Sequence, residues 1–164
     1  MQTLVIYDSK FGNTEKIAEA IGRGIGSVSE VRVTSTAEAA NVLASLVARP
    51  DLVLLGGPTQ NHGPSAGLRQ FAENLPAALR GVPAACFDTR YRGPVLLMGS
   101  AAAAAAKALA KTGTELVAPS ESFFIVRHGS MQQQTLQPGE ITRAEAWGHA
   151  VATSANSGQF ASIV

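Results

Sequence analysis

A three-layer α/β fold, with a doubly wound parallel sheet of five strands between two layers of helices, is what this sequence of 164 residues predicts. Three observations carry it. Short apolar runs rich in β-branched residues recur at 3–7, 31–33, 51–55 and 82–87, as strands buried on both faces should. Segments with apolar residues at helical spacing lie between them, and strand alternating with helix calls for a parallel sheet covered on both sides. The chain has one domain's length, enough to bury a core without disulfide or metal, and no repeat or linker divides it.

The first strand stops at Asp8 and a helix begins soon after it, with Ile17, Ala20, Ile21 and Ile25 on one face and Gly24 and Gly26 closing it. Residues 31–33 form the second strand. A helix over 37–48 follows, with Ala40, Val42, Leu43, Leu46 and Val47 inward and Pro50 ending it. The third strand, 51–55, runs into a Gly- and Pro-rich loop over 56–64. Helix three covers 65–74 with Leu68, Phe71 and Leu75 inward; Pro76 breaks it and 77–79 add a turn. Strand four is 82–87, and 88–94 is a loop. Residues 95–98 are compatible with a strand, a covering loop or a helical turn, and a loop leading into a helix is preferred. Gly99 and Ser100 then precede the alanine run 101–110, of near-maximal helix propensity, with Lys107, Lys111 and Gly113 at its end. A last strand over 115–117 and 122–126, split around Pro119, and a helix over 140–151 complete a domain of residues 1–152. The small, polar tail 153–164 is expected to fray.

Composition bounds the partners. With 46% hydrophobic and 15% charged residues the chain is globular rather than disordered. Lys and Arg number 13 against 12 Asp and Glu, a formal charge of +1, so no strong field directs it to nucleic acid or a membrane surface. The longest weakly polar run, 93–106, contains Gly, Pro and Ser and is too alanine-rich to span a bilayer. The N-terminus lacks the basic and apolar regions of a signal peptide. The lone Cys86, in an apolar run, reads as a small buried hydrophobe, and the absence of a possible intrachain disulfide suits a reducing cytoplasm. No metal site is expected.

In open parallel sheets ligands bind beyond the carboxyl ends of the strands, where strand order reverses. The loops at 8–14, 56–64 and 88–94 are therefore the ones that matter. In the first, Ser9, Asn13 and Thr14 set short polar side chains beside helix-start amides that no preceding turn satisfies, and Gly12 lets the backbone approach a ligand. A phosphate fits there. The same residues also read as a helix cap with Ser9 in a turn, although a cap needs fewer polar or Gly positions in a row. The loop lacks Gly-x-Gly-x-x-Gly and no acidic residue ends the second strand, which argues against a dinucleotide site; the absence of Gly-Lys-Ser/Thr excludes a Walker-type NTPase. A phosphorylated receiver domain needs an Asp at the end of strand three, where this chain has Gly56-Gly57-Pro58.

Residues 5–21, with an apolar pair, Tyr7, Ser9, Gly12, Thr14, Ala18 and Ile21, resemble the flavodoxin signature. Tyr7-Asp8 and Thr14-Glu15-Lys16 make the loop especially similar to flavodoxin domains attached to diiron oxidases. Gly57-Pro58-Thr59 and Phe87-Asp88-Thr89-Arg90 resemble the two flavin-contacting loops of single-domain flavodoxins. The likeness covers roughly residues 2–152. It implies strand order 2-1-3-4-5, non-covalent FMN, and an electron carrier serving an unidentified redox partner protein. It further implies that Ser9, Lys10, Gly12, Asn13 and Thr14 hold the phosphate, with Phe11 in the same loop. Pro58, Thr59, Gln60, Asn61, His62 and Gly63 would line one ring face, and Asp88, Thr89, Arg90 and Tyr91 the other. No side chain need act as acid, base or nucleophile, because the redox chemistry is the cofactor's. A backbone carbonyl of the first flavin loop is implied to turn toward ring N5, with Gly57 or Gly63 giving the freedom.

Two departures from the family pattern qualify this. Tyr91 is the sole aromatic in either flavin loop, either stacked on the ring or on the surface, and His62 is either beside the flavin or an exposed turn residue. Lys10 is either a phosphate counter-charge or solvated. Second, Arg69, Arg80, Arg90 and Arg92 outnumber Glu73 and Asp88 between 62 and 92, where familiar flavodoxins are acidic. Arg90 near the ring is then expected to raise the potential of the last reduction step. His128 and His149 read as surface or helix-face residues and Trp147 as core. The alternative function is an FMN-dependent NAD(P)H oxidoreductase acting on a quinone-like acceptor, for which the aromatic-free stretch 59–63 leaves room over the flavin. A flavodoxin fold that has lost FMN and serves as an interaction domain is disfavoured by the intact loop 9–14.

Overall fold

The computed structural model describes residues 1–129 and 133–158. Along the chain its elements are β1 (Gln2–Tyr7), α1 (Asn13–Gly26), β2 (Glu30–Ser35), α2 (Ala39–Ser45), β3 (Leu52–Gln60), β4 (Gly63–Pro64), α3 (Ala66–Glu73), β5 (Ala84–Tyr91), α4 (Val95–Met98), α5 (Ala101–Ala110), β6 (Glu121–Arg127), β7 (Gln134–Leu136) and α6 (Glu140–Asn156). The sheet runs β2-β1-β3-β5-β6-β7, with β4 paired to β3 outside that path. The five parallel strands β2, β1, β3, β5 and β6 thus stand in the expected order 2-1-3-4-5. Two short antiparallel strands are added, β7 on β6 and β4 on β3, so the five-stranded expectation is corrected to a parallel core of five within a sheet of seven.

Strand alternation builds both cores. Leu4, Ile6, Val53, Leu55, Ala84 and Cys86 point to the face covered by α3 and α5, together with Ala39 of α2. Val5, Leu52, Leu54, Ala85 and Phe87 point to the face covered by α1 and α6. Trp147 lies in the second core, edge-on to Phe87 and Phe123 with ring centroids 6.3 and 6.1 Å away. The alanine run packs close on the sheet, with Ala101, Ala102, Ala105, Ala106 and Leu109 buried. Ser100 caps it, its Oγ accepting the Ala103 amide at 3.1 Å.

Three expectations change. The helix expected over 37–48 spans only Ala39–Ser45: the Ser45 hydroxyl donates to the Val42 carbonyl at 2.7 Å, Leu46 is extended, and Val47 is fully exposed rather than inward. Residues 115–117 are not part of the last strand, since Leu116 makes only an isolated bridge to Ala84. Residues 56–60 and 88–91 are strand, not loop. Each supplies the other's backbone partners, pairing Gly57 with Asp88 and Pro58 with Thr89. At the C-terminus α6 continues to Asn156, and residues 159–164 of the expected tail lie outside the described residues. Among the described residues no helix is long and apolar enough to cross a membrane, and no cluster of His, Cys, Asp or Glu is placed to hold a metal ion.

Candidate functional site

The first loop is shaped by Gly12, whose φ of 81° lies in the left-handed region that glycine occupies without strain. That turn brings Asn13 and Thr14 to the start of α1, where helix amides and dipole favour an anion. Ser9 faces inward to the loop: its Oγ accepts the Gly12 amide at 3.1 Å and the Glu15 amide at 3.4 Å. It therefore holds the turn together. Asn13 is buried and donates from Nδ2 to the Gln134 carbonyl at 3.1 Å, tying the loop to β7. Thr14 and Thr89, both buried, share a hydrogen bond of 2.7 Å between their hydroxyls, which fixes the loop to β5.

The second segment is a tight hairpin. Gln60 pairs with Gly63, and the two residues between them, Asn61 and His62, have φ of 48° and 67°, the left-handed pair of a type I′ turn. The expected freedom at Gly57 or Gly63 is not where the positive φ falls. Gly57 is mid-strand, and a Cβ there would come within 2.8 Å of Leu68. His62 Nδ1 donates to the Leu97 carbonyl at 2.9 Å, which docks the hairpin on α4.

Alternation along β5 sorts the third segment. Asp88 is completely buried and faces α5, its Oδ2 accepting the Ser100 hydroxyl at 2.7 Å, the Ala102 amide at 3.0 Å and the Thr59 hydroxyl at 3.1 Å. Its carboxylate therefore joins β3 to the start of α5 beneath the site. Thr89 faces α1. Arg90, only 7% exposed, donates from Nε to Ser122 Oγ at 2.9 Å and from Nη1 to the carbonyls of Gly93 and Tyr91 at 2.9 and 3.2 Å. Its guanidinium stands 5.3 Å from the Phe124 ring centre, and Nε is 3.9 Å from Asp88 Oδ1.

These segments enclose a cleft of about 550 Å³. Lys10, Phe11, Asn13, Thr14, Pro58, Thr59, Gln60, Asn61, His62, Thr89, Arg90 and Tyr91 line it, and so do Met98, Ile125 and Gln134. Ser9, Gly12, Gly63 and Asp88 support the walls without lining them. Met98 and Ile125 escaped sequence reasoning because they belong to segments read only as cover and core. Gln134 carried no sequence signal, since its place depends on β7 folding back over Asn13. Among the described residues lining the cleft there is no Asp or Glu, two are cationic, Lys10 and Arg90, and one wall is apolar, Phe11, Pro58, Tyr91, Met98 and Ile125. The Tyr91 hydroxyl is buried with no partner.

A doubly wound sheet with a half-apolar cleft beyond the carboxyl ends of its strands, at the switch point, defines the class of ligand-binding α/β proteins. The sequence profile described as Flavodoxin matches residues 5–147, and the chain belongs to the flavodoxin family. No curated protein matches it significantly. Solved structures with the same fold include a flavodoxin from the domain Archaea (TM-score 0.71, 21% identity, 95% of this chain and 99% of that one). Oxidised flavodoxin 2 of Bacillus cereus is similar at TM-score 0.72 and 21% identity, covering 94% of this chain and 99% of that one. The flavodiiron protein of Giardia intestinalis matches at TM-score 0.70 and 16% identity, over 95% of this chain but 36% of that one. FMN is the cofactor this family binds, and the residues present fit it: neutral donors and a lysine around the helix start for a phosphate, apolar walls for a planar ring, and no carboxylate to repel either.

Proposed function

We propose that this chain is an electron carrier that holds FMN in the cleft and exchanges one or two electrons with redox partner proteins. The observation that carries the reading is a carboxylate-free cleft that joins the α1 start to an apolar wall. Backbone amides at 13 and 14, the Thr14 hydroxyl and Asn13 would take the phosphate, with the Gly12 amide on Ser9 keeping the turn in shape and Lys10 adding charge from the rim. The hairpin 58–63 and residues 89–91 would flank the ring, with Gly63 and Asp88 bracing these walls from outside the cleft. FMN supplies the one- and two-electron chemistry when bound. The protein positions it, excludes water from its buried side and sets the local charge through Arg90. No acid, base or nucleophile is required of the chain. The lone buried Cys86 suits a reducing compartment, and we place the protein in the cytoplasm on that ground.

Purified protein tests this directly. It should be yellow, and denaturation should release FMN rather than FAD. Anaerobic NADPH alone should then leave the flavin oxidised over minutes. Rapid bleaching at catalytic rates would instead establish the oxidoreductase reading.

A further inference from the structure

Three of the five large apolar side chains exposed among the described residues are consecutive. Val95, Leu96 and Leu97 of α4 are 49, 95 and 65% exposed. They are not scattered surface residues, because α4 forms the rim of the cleft. Met98 lines it, the Leu97 carbonyl receives the His62 ring N–H, and Gly99, at φ 73°, packs so closely that a Cβ there would lie 2.1 Å from the His62 carbonyl oxygen. The apolar step is therefore fixed in place against the hairpin. Positive side chains stand at the same cleft and hairpin. Arg92 is exposed two residues before the Pro94 cap of α4, with its guanidinium 4.3 Å over Phe124. Exposed Arg69 reaches the Pro64 carbonyl at 3.4 Å on the far side of the hairpin. Exposed Lys10 lines the same cleft. Between residues 52 and 114 the carboxylates are only Glu73 and the buried Asp88.

We propose that residues 95–97, with Arg92, Arg69 and Lys10 around them, are the docking surface for an acidic redox protein that brings a small apolar contact to the cleft mouth. This rests on the carrier reading above and adds the charge of the partner. An exposed apolar step bordered by one sign of charge selects a partner of the opposite sign, which steers encounter and sets salt dependence. A second copy of this chain fits less well, because a two-fold contact through the step would set Arg92 and Arg69 near their own counterparts. Three apolar side chains suit the small, transient interfaces of electron-transfer encounters.

The test is a titration of oxidised, methyl-labelled holoprotein with oxidised acidic [2Fe–2S] ferredoxin, and separately with a basic c-type cytochrome. Neither mixture transfers an electron, so binding is read independently of the carrier function. The ferredoxin should shift or broaden the Val95, Leu96 and Leu97 methyl signals at low salt, and its affinity should fall about tenfold or more at high salt. Leu96→Ser should weaken it severalfold while FMN affinity stays unchanged, and the cytochrome should leave the patch undisturbed. No change at the patch with ferredoxin, an equal change with cytochrome, or a free holoprotein dimer that Leu96→Glu dissociates would overturn the proposal. A colourless protein that takes up no FMN would instead sink the carrier reading.

Discussion

At the residue scale, Arg90 has the most to say about function. It borders the cleft, with its guanidinium held in the wall by Ser122 and the Tyr91 and Gly93 carbonyls and its counter-charge, Asp88, 3.9 Å away. Positive charge beside a flavin favours its negatively charged reduced form. Arg90→Ala should lower the potential of the last one-electron step by tens of millivolts, on the scale of the ~59 mV that a tenfold shift makes. Arg90→Lys should retain most of the wild-type value. Spectroelectrochemistry reads both, and an Ala variant with the wild-type potential would refute the role. Cys86 and Tyr7 make a second, pH-dependent statement. Burial pushes the Cys86 thiol up from 9.0 to about 12, with the Asp88 charge adding to it. Burial, and donation to Glu15 Oε1 at 2.8 Å, push the Tyr7 hydroxyl up from 10.0 to about 12. Both groups keep their protons in the native state where the unfolded chain releases them. Their contribution is thus complete below about pH 9 and is lost as pH rises from 9 toward 12. Urea midpoints should decline across that window, less steeply in Tyr7→Phe, and Cys86 should resist a thiol reagent at pH 8 until denaturant is added.

At the element scale, the tightest contact is that of α1 with α6. A Cβ on Gly24 would lie 1.9 Å from the Glu145 carbonyl oxygen, and one on Gly148 would lie 2.5 Å from the Ile21 carbonyl oxygen. Each helix thus uses a glycine to let the other's backbone approach. Gly24→Ala should cost about 1–3 kcal/mol or more, because backbone rather than a flexible side chain must give way; a urea midpoint equal to wild type would contradict the packing. The sequence reads Gly24 and Gly26 as closing α1, which does end at Gly26; the packing role of Gly24 against α6 is what it did not show. Most elements were legible all the same. The apolar runs at 3–7 and 82–87 and the alanine run were legible because periodicity and propensity are local. The hairpin was not legible, since Asn61 and His62 adopt left-handed backbone only because β3 has been carried past its apolar run by pairing with β5. Nor was β7, which exists by pairing Ile125, Val126 and Arg127 with Leu136, Thr135 and Gln134.

At the scale of the whole molecule, the cleft is where α1, β3, β5, α4, β6 and β7 meet, so a ligand there couples elements far apart in sequence. A cofactor that binds only the native state stabilises it by about 2.7 kcal/mol at a hundredfold excess over Kd. Thermal unfolding of holoprotein should therefore lie several degrees above that of apoprotein and rise with free FMN. A midpoint insensitive to FMN would show that the cleft does not hold it. By itself, the sequence determined the alternation of strand and helix, the polar, Gly-containing turn at 9–14 and the resemblance that ordered the parallel core, all of which rest on near-neighbour residues. Only the tertiary structure decided that Asp88 turns under the wall while Arg90 borders the cleft. It alone brought Met98, Ile125 and Gln134 to the cleft and left Val95, Leu96 and Leu97 on its rim. Those outcomes depend on which face of a strand meets which helix, and that is settled by pairing across the sheet between residues that the chain itself keeps far apart.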